Sequence, residues 1–115
     1  IYPDPEFGMC QVNLEAHPIT EGEPETAWIL YYNGPFFKPD PGAEVDIVGR
    51  YEIGGAPALV ALEYGDGRVF LTGPHPEWEE DSERDSVAYF DDFEDRGSDW
   101  NLMLRATRWC LGELE

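Results

Sequence analysis

The strongest constraint on this fold is a hairpin. Ala58 to Tyr64 and Arg68 to Thr72 are two strand-like runs joined by the three residues Gly65-Asp66-Gly67. A short glycine-containing connection of this kind joins antiparallel strands. The second run passes straight into Gly73-Pro74-His75-Pro76-Glu77-Trp78. Proline has no N–H for a ladder, so the chain leaves the sheet there.

The rest of the chain arranges itself around that unit. Tyr2 to Gly8 is Pro-rich and extended, and Cys10 to Leu14 reads as a short strand. After Pro18, the polar stretch Thr20 to Glu25 carries Gly22 and Pro24 and reads as a loop. Thr26 to Tyr32 (TAWILYY) is β-branched and aromatic, which predicts a buried strand ended by Asn33-Gly34-Pro35. Lys38 to Gly42 is a turn. Glu44 to Tyr51 sets Val45, Ile47 and Gly49 against Asp46, Val48 and Arg50, which predicts a strand exposed on one face and broken at Gly54-Gly55.

Asp81 to Arg96 is strongly acidic, and Val87, Tyr89, Phe90 and Phe93 suit a weak amphipathic helix or a folded loop. Ser98 or Asp99 is placed to cap a helix from Trp100 to Leu114. Trp100, Met103, Thr107, Cys110, Leu111 and Leu114 fall on its expected apolar face, with Arg105 and Arg108 toward the polar side. The 115 residues suit one domain without internal repeats. The order predicts an α/β arrangement: a mixed sheet with a hairpin and a packed terminal helix.

Charge narrows the setting. There are 25 acidic residues against 7 basic ones, a net charge of −18, and Lys38 is the single lysine. The acids recur along the whole chain, so self-repulsion opposes compaction at low salt. At molar salt the screening length shrinks to roughly 3 Å and the repulsion fades. Dispersed acid with little lysine therefore favours a halophile's protein over an acidic mesophile's. No basic stripe is available to release counterions from nucleic acid, and anionic membrane surfaces are disfavoured equally. The longest apolar run, Ala56 to Leu62, is strand-sized and contains Pro57, so no membrane span is expected. Two cysteines, Cys10 and Cys110, make no disulfide framework, and a reduced cytoplasm is expected.

The segment RVFLTGPHPEW is the richest in chemistry. Pro76 biases His75 toward an extended conformation, in which residues i and i+2 point the same way. The Glu77 carboxylate then meets the imidazole, orients it and stabilises its protonated form. That is the base-plus-orienter half of a Cys-His-Glu triad. A purely structural Pro-rich turn would use the same bond. His17 reads as a loop histidine before Pro18, and with two histidines and no adjacent cysteine no zinc site is expected. No Ca²⁺ loop appears. Gly65 to Gly67 precedes no helix and is no phosphate loop. No motif calls for a cofactor. Tyr31, Tyr32, Asn33, Phe36 and Phe37 cluster around a turn as core and loop packing.

The H-P-E tripeptide after a V-F-L strand resembles the His-Glu signature of class I glutamine amidotransferases. GDGRVFLTGPHPEW together with YYNGPFF resembles the amidotransferase-like domain found at the N-terminus of biotin-protein ligases and in standalone relatives. AHPIT also resembles relatives of that superfamily, including trehalose-utilisation proteins. Those usually lack the glutamate after the histidine, so Glu77 favours the biotin-ligase-type branch. The resemblance implies a flavodoxin-like α/β sheet with flanking helices, of which residues 1–115 are the C-terminal part. It implies His75 as base, Glu77 as its orienter, and Asn33 and Gly34 lining the pocket; Trp78 fits a pocket wall or a loop anchor equally. It also implies a cysteine on a nucleophile elbow, which neither Cys10 nor Cys110 matches.

The chain opens on Ile1 inside what reads as a loop, so a fragment or processed product is expected, with the elbow upstream or lost. A sheet lacking that half exposes an edge, which predicts dimerisation or low stability. Three functions remain open. The first is a non-catalytic or regulatory amidotransferase-like domain. The second is an amidohydrolase or glutaminase whose cysteine lies upstream of Ile1. The third is a small-ligand binding module using His75, Glu77 and Asn33.

Overall fold

The computed structural model describes residues 7–77 and 99–114. Five strands, β1 (Phe7–Leu14), β2 (Thr26–Tyr32), β3 (Asp46–Tyr51), β4 (Pro57–Tyr64) and β5 (Gly67–Thr72), precede one helix, α1 (Trp100–Cys110). The strands form one sheet in the order β2-β1-β3-β4-β5. Every pairing between these strands is antiparallel, so the expected mixed sheet is not what the described residues build. The five residues between β3 and β4 and the two between β4 and β5 are too few for the crossover that a parallel neighbour needs.

The β4–β5 hairpin forms as its sequence requires, one residue tighter than expected. Tyr64 pairs with Gly67, and Gly65 takes φ 59° at the first position of a two-residue turn, the place a type II′ turn gives to glycine. β1 begins at Phe7, earlier than the expected Cys10. β3 departs from its expected alternation. Ile47 pairs with Val60 and Gly49 with Leu59, so the ladder skips Val48 and the strand bulges. Val48 therefore turns into the core at 0% exposure instead of sharing the solvent face of Asp46 and Arg50. Bulges bend a strand and deepen its twist.

The sheet curls far enough for its two ends to meet. Beyond β5, His75 forms an isolated antiparallel bridge with Leu30 of β2, the opposite edge strand. The edge expected to be open is thus partly occupied by the chain's own continuation. Cys10, Val12, Ile29, Tyr31, Tyr51, Leu59 and Ala61 share one core with Leu102, Ala106 and Trp109 of α1. Each large apolar side chain fully buried in this way is worth about 1.5–3 kcal/mol.

α1 buries a different face from the expected one. Leu102, Ala106 and Trp109 are inside, whereas Trp100 is 45% and Leu111 68% exposed. Arg105 is no free polar residue either: its guanidinium donates to the Pro18 carbonyl at 2.7 and 2.9 Å. That grip sets the rotation of the helix. At the far end Arg68 donates to the carbonyls of Trp109 and Leu114 at 2.9 and 2.8 Å, and lies 4.8 Å over the Trp109 ring. The helix stops at Cys110, short of Leu114, because Gly112 takes φ 79°. Gly112 N–H bonds to Trp109 O and Glu113 N–H to Arg108 O, the paired bonds of a Schellman ending. Asp99 holds the N-cap position without a side-chain capping bond. The expected element at Asp81 to Arg96, and Ser98, lie outside the described residues. Among the described residues no helix is long and apolar enough to cross a membrane.

Candidate functional site

The exit of β5 is built by two prolines. Pro74 and Pro76 flank His75 and are fully buried. Neither has an N–H, so His75 supplies the lone amide donor of the three residues, and it goes to Leu30 O at 2.7 Å. The Thr72 hydroxyl donates to Pro74 O at 2.7 Å. The backbone is thereby held on both sides of the imidazole.

The side chains follow from that backbone. His75 Nδ1 lies 2.8 Å from Glu77 Oε2, with the two side chains 33% and 48% exposed. A carboxylate only accepts, so the proton of this bond sits on Nδ1. The neutral ring then carries its lone pair on Nε2, the nitrogen a general base uses.

Asn33 and Gly34 arrive at the same end of the sheet. Gly34 is buried, and a Cβ built on it would overlap the Gly73 carbonyl oxygen; one on Gly73 would overlap the Pro35 carbonyl and the Tyr51 hydroxyl. The β2–β3 loop is thus seated backbone to backbone on the turn that leads to His75. Two buried tyrosines hold it there. Tyr31 donates to Gly34 O, and Tyr51 donates to Pro35 O at 2.7 Å, with the rings edge to face at 6.1 Å. Asn33 is exposed and takes φ 54°, a conformation asparagine tolerates better than most residues. Trp78 lies outside the described residues. The structure therefore pairs His75 with Glu77 and seats Gly34 on Gly73, two residues before His75, with Asn33 exposed beside Gly34. Sequence reasoning missed Tyr51; the signal was a phenol buried at the end of a strand, which needs a partner for its hydroxyl.

The other histidine is spent differently. His17 Nδ1 accepts from Ile19 N–H at 3.1 Å, and its Nε2 faces Asp46 Oδ2 at 3.1 Å. Both nitrogens are committed, and the ring sits edge-on to Trp109 at 5.4 Å. His17 is a fastener between the turn at Pro18–Thr20, β3 and α1. A cavity of about 530 Å³ opens beside it, lined by Glu44, Asp46, Leu62, Glu63 and Trp109 among others, and includes none of the expected site residues. Among the described residues no group of His, Cys, Asp and Glu is arranged to hold a metal ion.

Neither cysteine is placed to serve His75. Cys10 is 8% exposed in mid-strand, and burial, then the nearby Asp99 charge, pushes its thiol up to about 12. Such a thiol is inert at neutral pH. Cys110 borders a hollow with Gly65, Asp66 and Gly67 at the hairpin end of β5. His75 follows the other end of that strand, roughly 20 Å away at about 3.3 Å per residue.

Residues 4–101 match the model of a family described as biotin-protein ligase, N terminal. The match includes His75 and Glu77 and ends just inside α1. No curated protein and no solved structure matches the chain.

Proposed function

This chain belongs to the biotin-protein ligase N-terminal family, and on that premise we propose that it is a non-catalytic, regulatory amidotransferase-like domain. In this reading His75 and Glu77 are the retained base-and-orienter half of a Cys-His-Glu triad. The observation that carries it is the 2.8 Å bond from His75 Nδ1 to Glu77 Oε2 at the exit of the edge strand β5. The inert Cys10 and the distant Cys110 support a binding or regulatory role over catalysis within residues 1–115. Asn33 and Gly34 would border the ligand, a small amide or carbonyl compound. Nothing in the chain resembles a biotin or ATP site, so no ligase step is assigned to it.

The family resemblance supports a flavodoxin-like core for the complete domain. The antiparallel sheet of residues 7–77 would be its C-terminal part, and the parallel strands and nucleophile elbow would come from outside residues 1–115. The charge of −18 with a single lysine, and two free cysteines, support a salt-rich, reducing cytoplasm.

The test is thermal unfolding at molar salt with and without glutamine, alongside an assay for released ammonia. The expected result is a glutamine-dependent rise in Tm that His75→Ala abolishes, with no ammonia. Ammonia released by this chain would overturn the non-catalytic reading. Release that appears only when a cysteine-bearing upstream segment is supplied would establish the amidohydrolase reading instead. The absence of any ligand response would leave the pair a structural turn.

A further inference from the structure

We infer that Tyr51 is the positioning residue of the His75–Glu77 pair, acting from the core side of the sheet through Pro35 and Gly73. The inference rests on the reading of that pair as the functional site. Tyr51 ends β3 with 1% of its surface exposed, and its hydroxyl donates to Pro35 O at 2.7 Å. The same hydroxyl lies so close to Gly73 that a Cβ there would overlap it. One phenolic oxygen thus touches both layers of the site: the loop that carries Asn33 and the turn that carries His75.

The path from Gly73 to the imidazole is short and stiff. The pyrrolidine rings of Pro74 and Pro76 fix φ on either side of His75. The amide of Gly73 is pinned to Ala58 O at 2.8 Å and that of His75 to Leu30 O at 2.7 Å. A shift of the Gly73 carbon therefore has few torsions to absorb it before it reaches the ring. Tyr31 gives the arrangement its second support by donating to Gly34 O, one residue before Pro35. Phenylalanine at position 51 would fill the core equally well. What the hydroxyl adds is the spacing between two backbones, and hence the alignment of Nδ1 with Glu77.

The chain has two histidines, so ring ¹⁵N shifts read through the ring protons report each separately. The native chain should show His75 as a single Nδ1–H tautomer. In Tyr51→Phe the His75 pattern should move toward the tautomer mixture of a free imidazole, while His17 stays unchanged as the internal reference. An unchanged His75 pattern would overturn the inference, and so would equal changes at both histidines, which a merely structural role produces. If Tyr51→Phe does not fold, 3-fluorotyrosine placed at position 51 alone strengthens the hydroxyl as a donor. The His75 shifts must then respond, and no response overturns the idea. A tautomer that follows Tyr51 stands even where glutamine moves no Tm. A glutamine response with an indifferent tautomer sinks this inference alone.

Discussion

The backbone of Gly34 rests directly on the carbonyl oxygen of Gly73, with no room for a side chain between them. Two loops from opposite edges of the sheet order meet at this contact, and it brings Asn33 and His75 to one end of the molecule. Gly34→Ala must force the two backbones apart. Overpacking of this kind costs up to about 3 kcal/mol. Denaturant unfolding at molar salt should show that loss, together with a disturbed His75 ring signal.

Glu77→Gln separates orientation from stability. The bond to His75 is half-exposed, so its removal should cost no more than about 1 kcal/mol. The amide also offers a donor where the carboxylate only accepted. The His75 tautomer should become mixed while the midpoint of unfolding hardly moves. A large loss of stability would mean that the pair is a structural clasp.

The two arginines of α1 should behave unlike each other. Arg105 grips Pro18 O with two bonds and is 18% exposed, whereas Arg108 pairs with Glu113 in the open. Arg105→Ala should cost about 2 kcal/mol, the scale of a charged hydrogen bond. Arg108→Ala should stay within about 0.5 kcal/mol. Equal effects would mean that the turn at Pro18–Thr20 does not anchor the helix.

Cys10 makes stability depend on alkaline pH. Its thiol is raised from 9.0 to about 12 in the folded chain, first by burial and then by Asp99. The folded state therefore keeps a proton that the unfolded state releases. The stabilisation is complete below about pH 9 and is lost as pH rises toward about 12. The difference between wild type and Cys10→Ala, which cancels the other titrating groups, should fall steadily over that range. Thiol reagents at pH 8 should label Cys110 well before Cys10.

Salt should raise stability continuously toward molar concentration, because the charge of −18 repels itself and screening removes that repulsion. Tm measured against KCl concentration checks this. A flat profile would disconnect the acidic composition from salt adaptation.

Local chemistry made much of this molecule legible. Gly65 and the apolar, strand-like runs on either side dictate the hairpin. Pro76 dictates the extended backbone that turns Glu77 toward His75. Both features act over a few residues, so the sequence alone decides them. The aromatic run at β2 and the helix beginning at Trp100 were equally plain.

Other features depend on partners distant in the chain. Val48 is buried because a bulge, set by the pairing with β4, reverses the alternation of β3. α1 carries two apolar stripes, and the bonds from Arg105 to Pro18 and from Arg68 to Trp109 decide that Leu102, Ala106 and Trp109 face inward. Sequence by itself determined which residues form the His75–Glu77 pair, because i and i+2 in an extended chain meet without help. Only the tertiary structure decided what surrounds it. The contacts of Gly34 with Gly73 and of Tyr51 with Pro35 join segments that no local rule brings together, and close packing alone leaves them a single arrangement.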